Sequence, residues 1–204
     1  MVKPKLTMWD EVYGQEEYVY GKEPNQFIKQ SLNSKGTGRV VCLAEGEGRN
    51  AVYLAGHGYE VTAVDSSAIG AAKCKALAEE RGVNVKTVIA DLADYQHDPE
   101  SLDGVLMVFG HFPRPLRQHI LTEAVKGLKK GGFLAMEVYS KEQLKYGTGG
   151  PPVPEMLYSL DELQKDIGQY FDFEIFRQIE REVVEGTKHD GLASVIQVYG
   201  KKRA

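Results

Sequence analysis

The chain has 204 residues, 42% of them hydrophobic and 26% charged, with a formal net charge of -4. That length suits one α/β domain with a full core rather than two domains. The acidic balance argues against a broad basic surface for nucleic acid, and the longest apolar runs are strand-length, too short to span a membrane.

Residues 1–10 lack the apolar core of a secretory signal, and Cys42 and Cys74 form neither a disulfide framework nor a zinc-site spacing. A cytoplasmic protein without a metal is therefore expected.

Residues 6–13 read as a short helix carrying Trp9, the only tryptophan. A tyrosine-rich stretch, 14–24, leads to Asn25, which caps a helix running to about residue 32. Residues 34–38 form a loop into the first strand, 39–44. A helix follows over 49–57, ended by Gly56 and Gly58. The second strand is 60–64, and Ser67 caps a helix that reaches Arg81 and stops at Gly82. The third strand is 85–89 and the fourth lies in 102–109. A helix over 115–128 is expected to end at Gly131-Gly132, before a fifth strand at 133–139. Strands alternating with helices make a parallel sheet with helices on both faces.

The last third breaks this rhythm. Residues 170–181 and 192–201 read as strands, with the loop 185–191 between them. So short a link makes them an antiparallel hairpin. The expected fold is α/β: a Rossmann-like seven-stranded sheet, mostly parallel, with a C-terminal antiparallel hairpin and helices on both faces. It is one domain, 1–204, with a helical cap at 1–38 and the core at 39–204.

The richest stretch is Val40-Val41-Cys42-Leu43-Ala44-Glu45-Gly46-Glu47-Gly48-Arg49-Asn50-Ala51. A buried strand turns there into a helix. Glycines suit a turn where a side chain would keep a cofactor from the backbone, and the helix beginning at Arg49 aims its N–H groups into the same crevice. Asp65, closing the second strand, stands where a ribose diol would lie. The spacing Gly46-x-Gly48-x-x-Ala51 also fits a dinucleotide fingerprint. Three features favour another cofactor. Glu45 would repel a pyrophosphate but attract the amino group of a methionine moiety. Asp91 and Leu92, after the third strand, suit the amino group and the face of an adenine. The third is the hairpin, which class I methyltransferases add to a Rossmann-like sheet.

On these residues the chain resembles a class I S-adenosylmethionine-dependent methyltransferase. More narrowly, it is similar to the small tellurite-resistance-type and thiopurine-methyltransferase-like branch. The resemblance is carried by Trp9-Asp10-Glu11-Val12-Tyr13, Tyr20-Gly21-Lys22-Glu23-Pro24-Asn25, the glycine turn, Gly58 through Asp65, and Glu185-Gly186-x-x-His189-x-Gly191. Asn50 departs from the broad superfamily, which often has a third glycine there. The resemblance implies that the N-terminal segment folds over the cofactor and that the acceptor is a small molecule with a soft sulfur, selenium or tellurium nucleophile.

The cofactor-binding set expected is Trp9, Tyr20, Glu45, Gly46, Glu47, Gly48, Arg49, Asn50, Asp65, Ser66, Asp91, Leu92 and Phe109. Aromatic faces there would stabilise the sulfonium by about 1 kcal/mol when water is excluded. His111, in the loop after the fourth strand, and His189, at the hairpin tip with Lys188, are the candidate catalytic groups. Arg177 and Arg181 are cations that an anionic acceptor could use. Residues 147–154, rich in glycine and proline, are placed to cover the site. Two other classes stay open: a nicotinamide-dependent oxidoreductase and a non-catalytic S-adenosylmethionine-binding protein.

Overall fold

The computed structural model describes residues 7–186 and 188–204. Leu6, where the first helix was expected to begin, and Thr187 in the hairpin turn lie outside them. In chain order the elements are α1 (Met8–Tyr13), α2 (Gln26–Ser31), β1 (Arg39–Leu43), α3 (Arg49–Gly56), β2 (Glu60–Asp65), α4 (Ala68–Glu80), β3 (Val85–Ile89) and β4 (Leu102–Val108). Then come α5 (Arg114–Gly127), β5 (Leu128–Tyr139), α6 (Leu160–Ile167), β6 (Phe171–Glu185) and β7 (His189–Lys202). The strands form one sheet in the order β3-β2-β1-β4-β5-β7-β6. The first five strands pair in parallel, and β7 runs antiparallel to both β5 and β6. This is the Rossmann-like architecture the alternation predicts.

The period of two in β1 explains its central place. Val40 and Cys42 pack with Leu54, Cys74 and Leu106 on one face. Val41 and Leu43 pack with Val105, Ile120, Leu121 and Met136 on the other. A strand buried on both faces belongs mid-sheet under helices. Burying each such aliphatic side chain contributes roughly 1.5–3 kcal/mol. Both cysteines are buried free thiols. Among the described residues, no helix is long and apolar enough to cross a membrane.

Three local expectations are corrected. Gly131-Gly132 does not stop α5, which ends at Gly127 because Leu128 turns extended and buries its side chain completely. The two glycines fall inside β5, where its register against β4 shifts between Leu102 and Gly104. The hairpin is also longer than its apolar patterning suggests: the ladder continues to Glu185↔His189, so His189 opens β7 and is no exposed tip. Finally, α6 was not expected. Its start was legible, since Ser159 caps it by accepting from Glu162 N, and Leu163 and Ile167 bury its apolar face.

Candidate active site

The strand order reverses between β1 and β4, so their carboxyl ends diverge into a crevice. A cavity of about 1020 Å3 opens there. Small-molecule sites run to roughly 300–1,000 Å3, so this one sits at the large end. The residues that leave the two strands, Ala44 and Phe109, both have φ of 51° and both line the cavity. Side-chain-bearing residues hold such a conformation at a cost of roughly 1–3 kcal/mol, and only where their surroundings enforce it. Phe109 N donates to Glu137 O at 2.8 Å, and Glu45 N, just after Ala44, donates to Val64 O at 3.2 Å.

Two acids line the cavity beside the glycine turn. Glu45 Oε1 accepts from the backbone N–H of Asn50 at 2.9 Å and of Ala51 at 2.7 Å. It supplies the cap that Gly48, at the N-cap position of α3, cannot. Burial pushes the Glu45 carboxyl up to about 7. Asp65 accepts from Gly46 N and Ser67 N, each at 2.8 Å, and burial raises it as well. It thus ties the glycine turn to the end of β2 and the start of α4. Both acids line the cavity, with Ser66 and Leu92.

The glycines make room for packing neighbours. A Cβ on Gly46 would stand 2.5 Å from Tyr13 Oη. A Cβ on Gly48, whose φ is 91°, would stand 2.3 Å from Cys74 Sγ. Tyr13, absent from the expected cofactor-binding set, also lines the cavity. Asp10 holds it there: its carboxylate accepts from Ser67 Oγ at 2.6 Å and Ile69 N at 3.2 Å. The Ser67 hydroxyl, foremost, keeps Asp10 low, at about 2. This docks α1 on the N-terminus of α4. Trp9 stacks on Tyr13 at 5.6 Å, Tyr13 meets the edge of Tyr20, and Tyr20 reaches His189 at 4.6 Å. Trp9, Tyr13 and Tyr20 all face the cavity.

Glu47 pairs with Lys73 at 2.8 Å and accepts from Tyr20 N at 3.3 Å. Arg49 is buried in an ion pair with Glu185 of the hairpin. Asn50 accepts from Asn25 N at 2.9 Å. Asn25 Nδ2 donates to both Glu137 and Glu185, and Arg181 pairs with the same two acids. Gln197 donates to Glu137 at 2.7 Å. This network joins the cap, the glycine-turn helix, β5 and the hairpin. Its one legible sign was Glu137, an acid within the apolar run 133–139.

The two histidines differ. His111 Nδ1 meets the Met156 carbonyl at 3.2 Å, and its Nε2 accepts from Tyr139 N at 3.4 Å. A carbonyl must accept and an N–H must donate, so His111 is fixed as the Nδ1–H tautomer with both nitrogens used. It props the loop against β5 and also lines the cavity. His189 lines the cavity, and its Nδ1 is buried without a partner among the described residues. Burial, aided by Arg49, pushes it down to about 3, so the ring is neutral at ordinary pH. Asp91 is not brought to the cavity. It is exposed, and its carboxylate turns back to accept from Ala93 N at 2.9 Å. Arg177 is exposed and bonds the neutral Gln197, Arg181 is held by Glu137 and Glu185, and neither lines the cavity. Residues 147–153 line the cavity's outer side.

Residues 40–132 match the family described as a methyltransferase domain. No curated protein matches the chain. Among solved structures, one titled for the conversion of a disulfide bond into a thioacetal group during echinomycin biosynthesis superposes with a TM-score of 0.73 at 19% identity, covering 96% of this chain and 90% of that one. TehB from Haemophilus influenzae has a TM-score of 0.71 at 17% identity, covering 96% of this chain and 66% of TehB. A SAM-dependent methyltransferase from Methanosarcina mazei has a TM-score of 0.66 at 18% identity, with 89% and 100% covered. Residues 40–132 thus match a methyltransferase domain, the chain has the Rossmann-like methyltransferase fold, and together these imply S-adenosylmethionine as the cofactor. The cavity suits that cofactor, with aromatic faces for a sulfonium and buried carboxylates for an ammonium and a diol.

Proposed function

We propose that this protein transfers a methyl group from S-adenosylmethionine to a small-molecule acceptor with a soft sulfur, selenium or tellurium nucleophile, by direct in-line displacement. The carrying observation is the pair of strained residues, Ala44 and Phe109, flanking one large cavity whose floor holds Glu45 and Asp65. The likeness in shape to a protein described by the conversion of a disulfide bond into a thioacetal group supports a sulfur acceptor.

Bound S-adenosylmethionine supplies a methyl made electrophilic by its sulfonium. In this reading Asp65 holds the ribose, Glu45 the amino group, and Trp9, Tyr13 and Tyr20 cover the cofactor. Phe109 and the 147–153 segment exclude water from the reacting end. Alignment and exclusion of water contribute roughly 7–11 kcal/mol when the geometry is ideal. His189 meets the acceptor as a neutral ring. The test is an S-adenosylhomocysteine-release screen over tellurite, selenite, thiols and thiopurines. Release with a sulfur, selenium or tellurium acceptor supports the proposal, and release only with oxygen or nitrogen acceptors contradicts it.

A further inference from the structure

β5 ends at Tyr139, opposite Val195, while β7 continues back to His189. On the side that β5 vacates, the backbone groups of residues 190–194 need other partners. A side chain and a loop supply them. Ser194 N donates to Gln143 Oε1 at 2.8 Å, Leu192 O accepts from Thr148 Oγ1 at 2.7 Å, and Asp190 N donates to Thr148 O at 3.4 Å. Gln143 and Thr148 thus stand in for the next residues of a longer β5.

The Gln143 carboxamide ties these pieces together. It is buried, on the short 3-10 helix Lys141–Lys145, and it lines the cavity. Ser194 N can only donate, so the amide oxygen faces β7 and the nitrogen faces the loop. Nε2 donates to Thr148 Oγ1 at 3.0 Å and to Gly149 O at 3.2 Å. One side chain therefore joins segment 147–150 to β7.

That segment lies on two groups of the site. A Cβ on Gly149 would stand 2.7 Å from Tyr139 Oη and 3.0 Å from His189 Cδ2, and one on Gly150 would stand 2.7 Å from Tyr139 Cδ2. Beneath it Tyr139 Oη and His189 Nδ1 are buried, with no hydrogen-bond partner among the described residues. Lifting the segment would let water reach both atoms, which offsets part of the bonds lost. Its ends suit such a motion. Gly147 has φ of 66° with nothing within 4 Å of where a Cβ would stand, and Pro151-Pro152 stiffen the far side.

We propose that Gln143 is a positioning residue of the methyl-transfer site: its carboxamide latches segment 147–150 down as a lid over Tyr139 and His189, and ligands enter and leave the cavity when the latch releases. This rests on the methyl-transfer reading above and adds the residue that governs access to that site. The latch is made of protein groups alone, so it opposes entry and exit alike. Weakening it speeds both and leaves the affinity in place.

The test uses the full chain with S-adenosylhomocysteine as the probe. Trp9 is the only tryptophan and lines the cavity, so its fluorescence follows binding by stopped flow. Thr148→Val keeps the side chain's shape and removes its hydroxyl, and Gln143→Ala removes the whole latch. In both variants the association and dissociation rate constants should rise at least fivefold, with their ratio within twofold of the wild type. Amide exchange followed by NMR supplies a second readout. In Thr148→Val the Asp190 amide should exchange at least tenfold faster, although the substitution spares its acceptor, while Ser194 stays protected by Gln143. Should Gln143→Ala fail to fold, Thr148→Val decides alone. Unchanged rate constants, an affinity lost without faster entry, or an Asp190 amide no faster than in the wild type would overturn the proposal. Failure of S-adenosylhomocysteine to bind the wild type would overturn the methyl-transfer reading instead, and the Asp190 amide would still decide the latch.

Discussion

The hydroxyl of Tyr13 stands 2.5 Å from where a side chain on Gly46 would begin. One residue of the N-terminal cap thus fills the space above the first glycine of the turn. The phenol is buried beside Asp65, Tyr20, Glu47 and Glu45, and burial, foremost, raises its pKa. The cap is part of the cavity's wall. Tyr13→Ala should therefore weaken S-adenosylmethionine binding while leaving the fold intact, because Asp10 still anchors α1 on α4. Calorimetry, with circular dichroism as the control for folding, measures both; unchanged affinity would make Tyr13 a packing residue alone.

Asp65 accepts two backbone N–H groups and also faces the cavity. Asp65→Ala should weaken cofactor binding by about 1.5–3 kcal/mol, the range for hydrogen bonds to a charged group. Asp65→Asn should fall between the wild type and the alanine variant. Affinity unchanged in both variants would reject the ribose assignment.

Gly48→Ala should destabilise the fold by about 1–3 kcal/mol, from the positive φ and from overpacking against α4. Cys74→Ala should not rescue it, because Cβ and Cα of residue 74 also stand only 2.6 and 2.8 Å from the added methyl. Urea unfolding of the single and double variants measures this. Full rescue would mean that the sulfur alone sets the spacing.

The core and the sheet were readable because β1, β2, β4 and β5 are short apolar runs punctuated by glycine and acid. A strand with both faces buried needs little else to declare itself. The site was less readable, for two physical reasons. Side-chain destinations depend on partners far along the chain: Arg49 was expected to bind cofactor, and nothing near it in the chain announced its buried pair with Glu185 of the hairpin. Emptiness is also ambiguous in sequence. Glycine at 46 and 48 marks space without saying whether Tyr13, Cys74 or a ligand fills it. Asp91 fails for a related reason: an acid after a strand serves equally well to close a turn on Ala93 N.

Breaking the buried Arg49–Glu185 pair should be costly. Glu185→Ala leaves Arg49 without its acid and removes one partner of Arg181. A loss of about 3–5 kcal/mol is expected, as for other buried pairs stripped of one member. A loss below about 1 kcal/mol by urea unfolding would show that the network is loosely held or hydrated.

Glu45 gives the site a pH dependence with a definite sign. Burial holds its carboxyl up to about 7, whereas an unfolded glutamate ionises near 4.3. Between those values the unfolded chain binds fewer protons, so this group lowers stability of the free protein as pH rises through that window. Ionised Glu45 attracts an ammonium. Affinity for S-adenosylmethionine should therefore rise from pH 6 to 7.5, and Glu45→Gln should flatten that rise. The same slope in the variant would take Glu45 out of the amino-group site.

The most direct measurement is a calorimetric titration of the full chain with S-adenosylmethionine and, separately, with NADH. The account predicts saturable one-to-one binding of S-adenosylmethionine, weakened by Asp65→Ala, and none of NADH. Tight nicotinamide binding with no heat from S-adenosylmethionine would contradict it.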